Sequence, residues 1–240
     1  MPQAGRWGNI LATAESGQRF MDMLCTSATE DYRSSGEEIF CTKECSSCCT
    51  LAVNCSAAEA FLMAAALSEQ QKSAVAVYVA KLKEKTGGIA DLKGYLRLHR
   101  KELGGCPFLN EGICRVYPVR PISCRALLAT KESRWCGVDF SEISSAEKLA
   151  FIESLDRGTV AFPMHYLAFT QDAGQKLEAQ LSLQMLQEYG FSICGSMPVL
   201  VYLFTEYDLY SSLGKGADTV LTLAAAAGLA SSFLLQIETR

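Results

Sequence analysis

Apolar and polar positions between residues 56 and 103 recur at helical spacing and are cut by glycine pairs. Ser56-Ala57-Ala58-Glu59 has the spacing of a capping box, in which serine hydroxyl and glutamate carboxylate each satisfy a free backbone N–H at a helix start. The alanine-rich run Ala60 to Leu67 continues that helix. Ser68-Glu69-Gln70-Gln71 repeats the signal, and Val75, Val77, Val79, Ala80 and Leu82 supply an apolar stripe as far as Gly87-Gly88. Ile89 to Leu103 forms a third segment ending at Gly104-Gly105. Ser144-x2-Glu147 opens a helix through about Leu155, and Gln175 to Tyr189 forms another that stops at Gly190. No stretch alternates in the manner of a strand followed by a hairpin turn. The pattern predicts a mainly α, compact helical protein whose cysteine-rich stretches are loops.

Three parts are expected: an N-terminal helical segment over 1–37, a cysteine-cluster domain over 38–138, and a C-terminal helical region over 139–240 packed on it. Thr219 to Ile237 carries no charge and has the length of a membrane span. It is built mostly of alanine, however, and contains Thr222, Ser231, Ser232 and Gln236, so a buried core helix is the expectation. Pro198 to Phe204 is too short to span and joins the same core. Tyr202, Phe204, Tyr207 and Tyr210 are expected there too.

Hydrophobic residues make up 49% of the 240 positions and charged residues 20%, a globular balance. The formal charge of -4 argues against a general nucleic-acid binder, which needs a concentrated positive surface. Arg97-Leu98-His99-Arg100-Lys101 reads as a solvated helix face. The first twenty residues hold no continuous apolar core of signal-peptide length, so a cytoplasmic protein with reduced thiols is the expectation.

That matters because seven of eleven cysteines fall in two arrays, Cys41-x3-Cys45-x2-Cys48-Cys49 and Cys106-x7-Cys114-x9-Cys124. Reduced thiolates crowded this way repel one another unless a soft cation compensates them, so zinc or an iron–sulfur cluster is the expected ligand. Cys136 is the candidate eighth thiolate, which would make two four-cysteine sites or one bridged dinuclear site. Cys55, immediately before the capping box, is a weaker candidate ligand that could point back toward the first array, Cys25 and Cys194 read as core residues, and His99 and His165 stand alone. Adjacent Cys48 and Cys49 suit a bridging or cluster arrangement better than a simple zinc knuckle, which tips the choice to a [4Fe-4S] centre.

The second array has supporting residues. Pro107, Pro118 and Pro121 stiffen the loop and lower the entropy lost when its thiolates converge. Phe108, Leu109 and Tyr117 can exclude water. Arg115, Arg120 and Arg125 can donate to thiolate sulfur or to carbonyls, so Tyr117, Arg120 and Arg125 are expected beside the cofactor.

C-x3-C-x2-C-C followed by C-P-F-L and G-x-C-x-V-Y-x2-R-P-x2-C-R resembles the YkgJ-type cysteine-cluster family, described by a zinc- or iron-chelating domain. The resemblance runs from Cys41 to Arg125 and implies chelation through Cys41, Cys45, Cys48, Cys49, Cys106, Cys114 and Cys124. It implies no settled reaction. Flagellin lysine-N-methylases look similar through the same arrays, which makes a protein lysine N-methyltransferase-like enzyme using S-adenosylmethionine one alternative; no Gly-rich nucleotide loop after a strand supports it. An iron–sulfur electron-transfer protein, or a structural metal module with an unknown protein partner, are the others. Cys41-x3-Cys45-x2-Cys48 also has radical S-adenosylmethionine spacing, but Ser47 stands where an aromatic is usual.

Overall fold

The computed structural model describes residues 5–42 and 44–240. The chain opens with α1 (Arg6–Ser34) and reaches β1 (Asn54–Ser56) through a loop containing a 3-10 turn, Ser47–Thr50. Three helices follow, α2 (Ala57–Ala65), α3 (Glu69–Thr86) and α4 (Leu92–Lys101). A two-residue hairpin, β2 (Leu109–Asn110) and β3 (Ile113–Cys114), leads to the short helix α5 (Ile122–Arg125) and a 3-10 turn at Ser133–Cys136. The remainder is α6 (Ser145–Glu153), α7 (Ala168–Tyr189), β4 (Phe191–Ser196), α8 (Met197–Glu206), α9 (Leu209–Leu213), α10 (Ala217–Ala226) and β5 (Leu235–Thr239).

The helix starts follow the local chemistry. Ser56 and Glu59 close the capping box of α2, and Ser68 and Gln71 close that of α3. Asp91 accepts from the Gly94 N–H at the start of α4, and Ser144 from the Glu147 N–H at the start of α6. Helix α7 begins seven residues before the expected Gln175, because Thr170, Gly174 and Leu181 face inward and bury it from its first turn.

The mainly helical class holds, with one correction at the C-terminus. The expected helix over Thr219 to Ile237 ends at Ala226, and Gly228 takes a positive φ of 71° that turns the chain. The residues beyond form β5, which pairs antiparallel with β4 in the register Phe191↔Thr239 to Gly195↔Leu235. Strand β1 pairs on the other side of β4, giving a three-stranded sheet in the order β1-β4-β5. Helical propensity of the alanines is worth only tenths of a kcal/mol per residue and yields to this pairing. Strand β4 did not show the alternation of a half-exposed strand because five of its six residues are buried. Among the described residues, no helix is long and apolar enough to cross a membrane.

One core joins residues from all three stretches of the chain: Trp7, Ile10 and Met21 of α1, Met63 of α2, Val79 and Leu82 of α3, Leu181 of α7, Leu200 and Leu203 of α8. Phe204 and Tyr210 pack with Trp7 and Phe61 as an aromatic cluster against it, whereas Tyr207, expected in the core with them, is exposed and meets Tyr202 at the end of α8. A separate small cluster, Trp135, Phe151, Leu155 and Val160, supports the turn that carries Cys136.

The helix α5 is wedged between α1 and α7. A Cβ placed on Gly174 of α7 would stand 3.0 Å from the Ala126 Cβ and 3.4 Å from Ile122 Cγ2, so this glycine lets α7 approach the loop that bears Cys124.

Candidate metal centre

Nine cysteines line one cavity of about 410 Å³. They are the seven of the two arrays (Cys41, Cys45, Cys48, Cys49, Cys106, Cys114 and Cys124), the candidate eighth thiol Cys136, and Cys25. Tyr117, Arg120 and Arg125 line it as well, while Phe108, Val116, Leu127, Leu128 and Met197 make much of its wall apolar.

Each array is placed by identifiable bonds. The Phe40 N–H donates to Ala129 O at 2.9 Å, and the Ala129 N–H donates to Cys41 Sγ at 3.2 Å, so the first array lies along residues 127–129. The β2–β3 hairpin sets Cys114 opposite Leu109 and returns the chain toward Cys106. Cys124 sits in α5, whose start is fixed by the buried Glu59: one carboxylate oxygen closes the α2 capping box and the other accepts the Ile122 N–H at 2.7 Å. Cys136 is held by its neighbour Trp135, whose ring lies 4.3 Å from that of Phe151.

The thiols fall into two groups by their electrostatic reach. Cys48, Cys106, Cys114 and Cys124 are all near enough for the charge of any one to raise the pKa of another. Cys41, Cys45 and Cys136 are related in the same way, and Cys48 also touches this second group. Cys48 thus stands between the two, and its own pKa is driven upward first by its hydrogen bond with Cys49 and then by burial. Burial pushes the Cys41 thiol up to about 11 and raises Cys106, Cys114, Cys124 and Cys136 too. Without metal these groups are protonated at neutral pH, and metal binding releases their protons. Among the described residues, no three histidine, cysteine, aspartate or glutamate side chains already stand as they would around a single ion.

The arginines divide the work that the sequence assigned jointly. Arg125 is buried and serves the loop itself: Nε donates to Arg120 O at 2.9 Å, one terminal nitrogen to Pro118 O at 2.7 Å, and the other pairs with Asp22. Arg120 lies 3.6 Å over the Tyr117 ring, and its charge lowers the pKa of Cys25, Cys48, Cys114 and Cys124. Arg115 borders a different surface hollow, beside Pro107 and Asn110.

Cys25 was assigned to the core by its apolar setting, yet it joins the cavity wall with Asp22, Thr26, Thr29, Glu30 and Arg33 of α1. Those positions recur at three and four residues, so a polar helix stripe containing a cysteine was the available signal. Its thiol donates to Arg125 O at 3.3 Å. Cys55 and Cys194 stay outside the cavity, in β1 and β4. His99 is a core residue, with Nδ1 3.1 Å from the Tyr78 hydroxyl. His165 places Nε2 3.4 Å from Cys136 Sγ. Burial holds the His165 pKa down to about 4, so its imidazole is neutral at pH 7.

Residues 40–143 match the family model CxxCxxCC, whose description is "Putative zinc- or iron-chelating domain". The match covers a little under half of the chain and contains eight of the nine cysteines around the cavity. No curated protein and no solved structure matches the chain. The stretch that supplies eight of the nine cavity cysteines is therefore similar to the zinc- or iron-chelating domains that this family model describes.

Proposed function

We propose that the chain is an iron–sulfur protein in which Cys48, Cys106, Cys114 and Cys124 hold a [4Fe-4S] cluster, while Cys41, Cys45, Cys49 and Cys136 form the adjoining part of the same thiol basin. One observation carries this reading: the thiols ring a cavity of about 410 Å³, and four of them are mutually within charge-interaction reach. Four thiolates around a shared cavity suit a polynuclear centre, whose iron and sulfide ions would occupy the middle.

The surrounding residues fit that centre. Backbone N–H groups approach sulfur, as Ala129 does at Cys41, and such donors disperse thiolate charge. Arg120 supplies positive charge to the four-thiol group, held flat by Tyr117. Apolar side chains on the wall limit water. When bound, the cluster would supply one-electron redox chemistry, and the chain's part is to hold it, partly dry, behind α1. Thr26 and Glu30 on that side are exposed, so the basin opens there toward a redox partner protein. Reduced thiols and this chemistry fit the cytoplasm.

Zinc is the second reading, since the same thiols suit tetrahedral zinc sites. Anaerobic purification with metal and acid-labile sulfide analysis decides between them. About four irons and four sulfides per chain with visible absorption support the cluster; a colourless protein with one or two zincs overturns it.

A further inference from the structure

We propose that His165, from outside the matched domain, is a metal ligand that completes a second site with Cys41, Cys45 and Cys136. This rests on the metal-chelating reading of the basin and adds a donor of a different kind.

The geometric starting point is the 3.4 Å between His165 Nε2 and Cys136 Sγ. Sulfur at about 2.3 Å and nitrogen at about 2.0–2.1 Å from a tetrahedral metal are separated by roughly 3.6 Å, so this pair already spans one edge of such a site. A hydrogen bond would give a similar distance, and the neighbours decide between the two. The four-thiol group Cys48, Cys106, Cys114 and Cys124 is complete in itself. The second group has three cysteines, of which Cys41 packs against Ala129, Cys136 and Tyr166 while Cys45 lines the same cavity. Cys49 is engaged by its hydrogen bond with Cys48. His165 is the donor in contact with the incomplete group.

The fold puts it there deliberately in the mechanical sense. An isolated bridge pairs Ala129 with Tyr166, and His165 O accepts from both the N–H of Thr130 at 2.8 Å and its hydroxyl at 3.0 Å. The same residue Ala129 donates its N–H to Cys41 Sγ. One short ladder therefore fixes Cys41 on one side and His165 on the other. The His165 ring is further confined by Tyr166 at 4.5 Å and by an edge contact with Phe151 at 5.7 Å. Occupying the site requires the Cys41 and Cys45 thiols to swing toward this edge, because no three donors among the described residues yet surround one point. Three thiolates and an imidazole select zinc or a similar borderline ion.

The test is an anaerobic titration of the full chain with cobalt(II), with the cluster content of each sample measured in parallel. Wild-type protein is expected to bind one cobalt with the absorption of a three-sulfur, one-nitrogen tetrahedral site. His165→Asn, which keeps a hydrogen-bond donor, is expected to weaken binding at least tenfold. His165→Cys is expected to retain it with stronger sulfur-to-cobalt charge transfer. Circular dichroism confirms that each variant folds. Unchanged cobalt affinity and spectrum in His165→Asn overturn the proposal and leave a hydrogen bond to Cys136, whether or not the first group holds a cluster. A wild-type chain that takes up cluster but no cobalt overturns it as well, while a chain that binds neither overturns the metal reading of the whole basin.

Discussion

The Glu59 carboxylate accepts the backbone N–H of Ile122 at 2.7 Å, across 63 residues of sequence. The same side chain closes the capping box of α2, so the N-terminus of one helix and the turn before Cys124 share a single buried anion. Glu59→Ala leaves several buried N–H and O–H groups unpaired and is expected to cost about 3 kcal/mol, read by urea denaturation. Because Cys124 follows Ile122 by two residues, metal content should fall with it. Full metal retention at wild-type stability would show that α5 is held by packing alone.

Sequence spacing identified the capping box, since Ser56 and Glu59 are three residues apart, but the partner of the second carboxylate oxygen depended on the fold. The same contrast runs through the site. The convergence of the seven array cysteines and Cys136 was legible because crowded thiols point to a shared ligand, and all eight line the cavity. Cys25 was not, since it reaches the cavity through tertiary packing on the polar stripe of α1, and neither was the contact of His165 with Cys136, which depends on the bridge between Ala129 and Tyr166. Strand β5 escaped for a related reason: its only strand signal is pairing with the buried β4.

Cys114→Ser removes a member of the four-thiol group and should abolish cluster binding. Cys45→Ser should lower total metal by acting on the second group. Cys194→Ser, whose thiol faces Gln236 in the sheet, should leave metal content intact. Metal analysis of the three proteins checks the assignment, and equal retention in all of them sinks it.

Removing metal should unravel the loops more than the helical body. The largest core is made chiefly of aliphatic and aromatic side chains from α1, α2, α3, α7 and α8, and it borders the cavity through Phe108, Val116 and Met197. A chelated sample is expected to keep most of its far-ultraviolet helical signal while amides in residues 40–50 and 105–125 exchange faster. Loss of most of the helical signal would instead make the centre a condition of folding.

Glu178 gives a pH dependence. Burial, with the nearby Glu59 charge, raises its pKa to about 7. A carboxyl with a raised folded-state pKa binds its proton more tightly folded than unfolded. Its contribution is therefore fully present below about pH 4 and is lost as pH rises through 7. The thermal midpoint should fall between pH 5 and pH 8, and Glu178→Gln should flatten that fall. An unchanged pH profile in the variant would assign the effect to other groups.

Gly174→Val places side-chain atoms where Ala126 and Ile122 already stand. Overpacking at such a contact costs about 1–3 kcal/mol. The strain falls on α5, so metal affinity should decline together with the unfolding midpoint. A stability loss with metal binding unaffected would mean that α7 yields and the loop does not.

The chain has two tryptophans, and the fold sets them at very different distances from the thiols. Trp135 is the neighbour of Cys136, whereas Trp7 lies eighteen residues before Cys25 on the same helix, about 27 Å away at the rise of an α-helix. A coloured centre in the basin would drain excitation from Trp135 and leave most of the Trp7 emission. The protein's own fluorescence would then gauge occupancy, with the aromatic cluster around Trp7 as its internal reference.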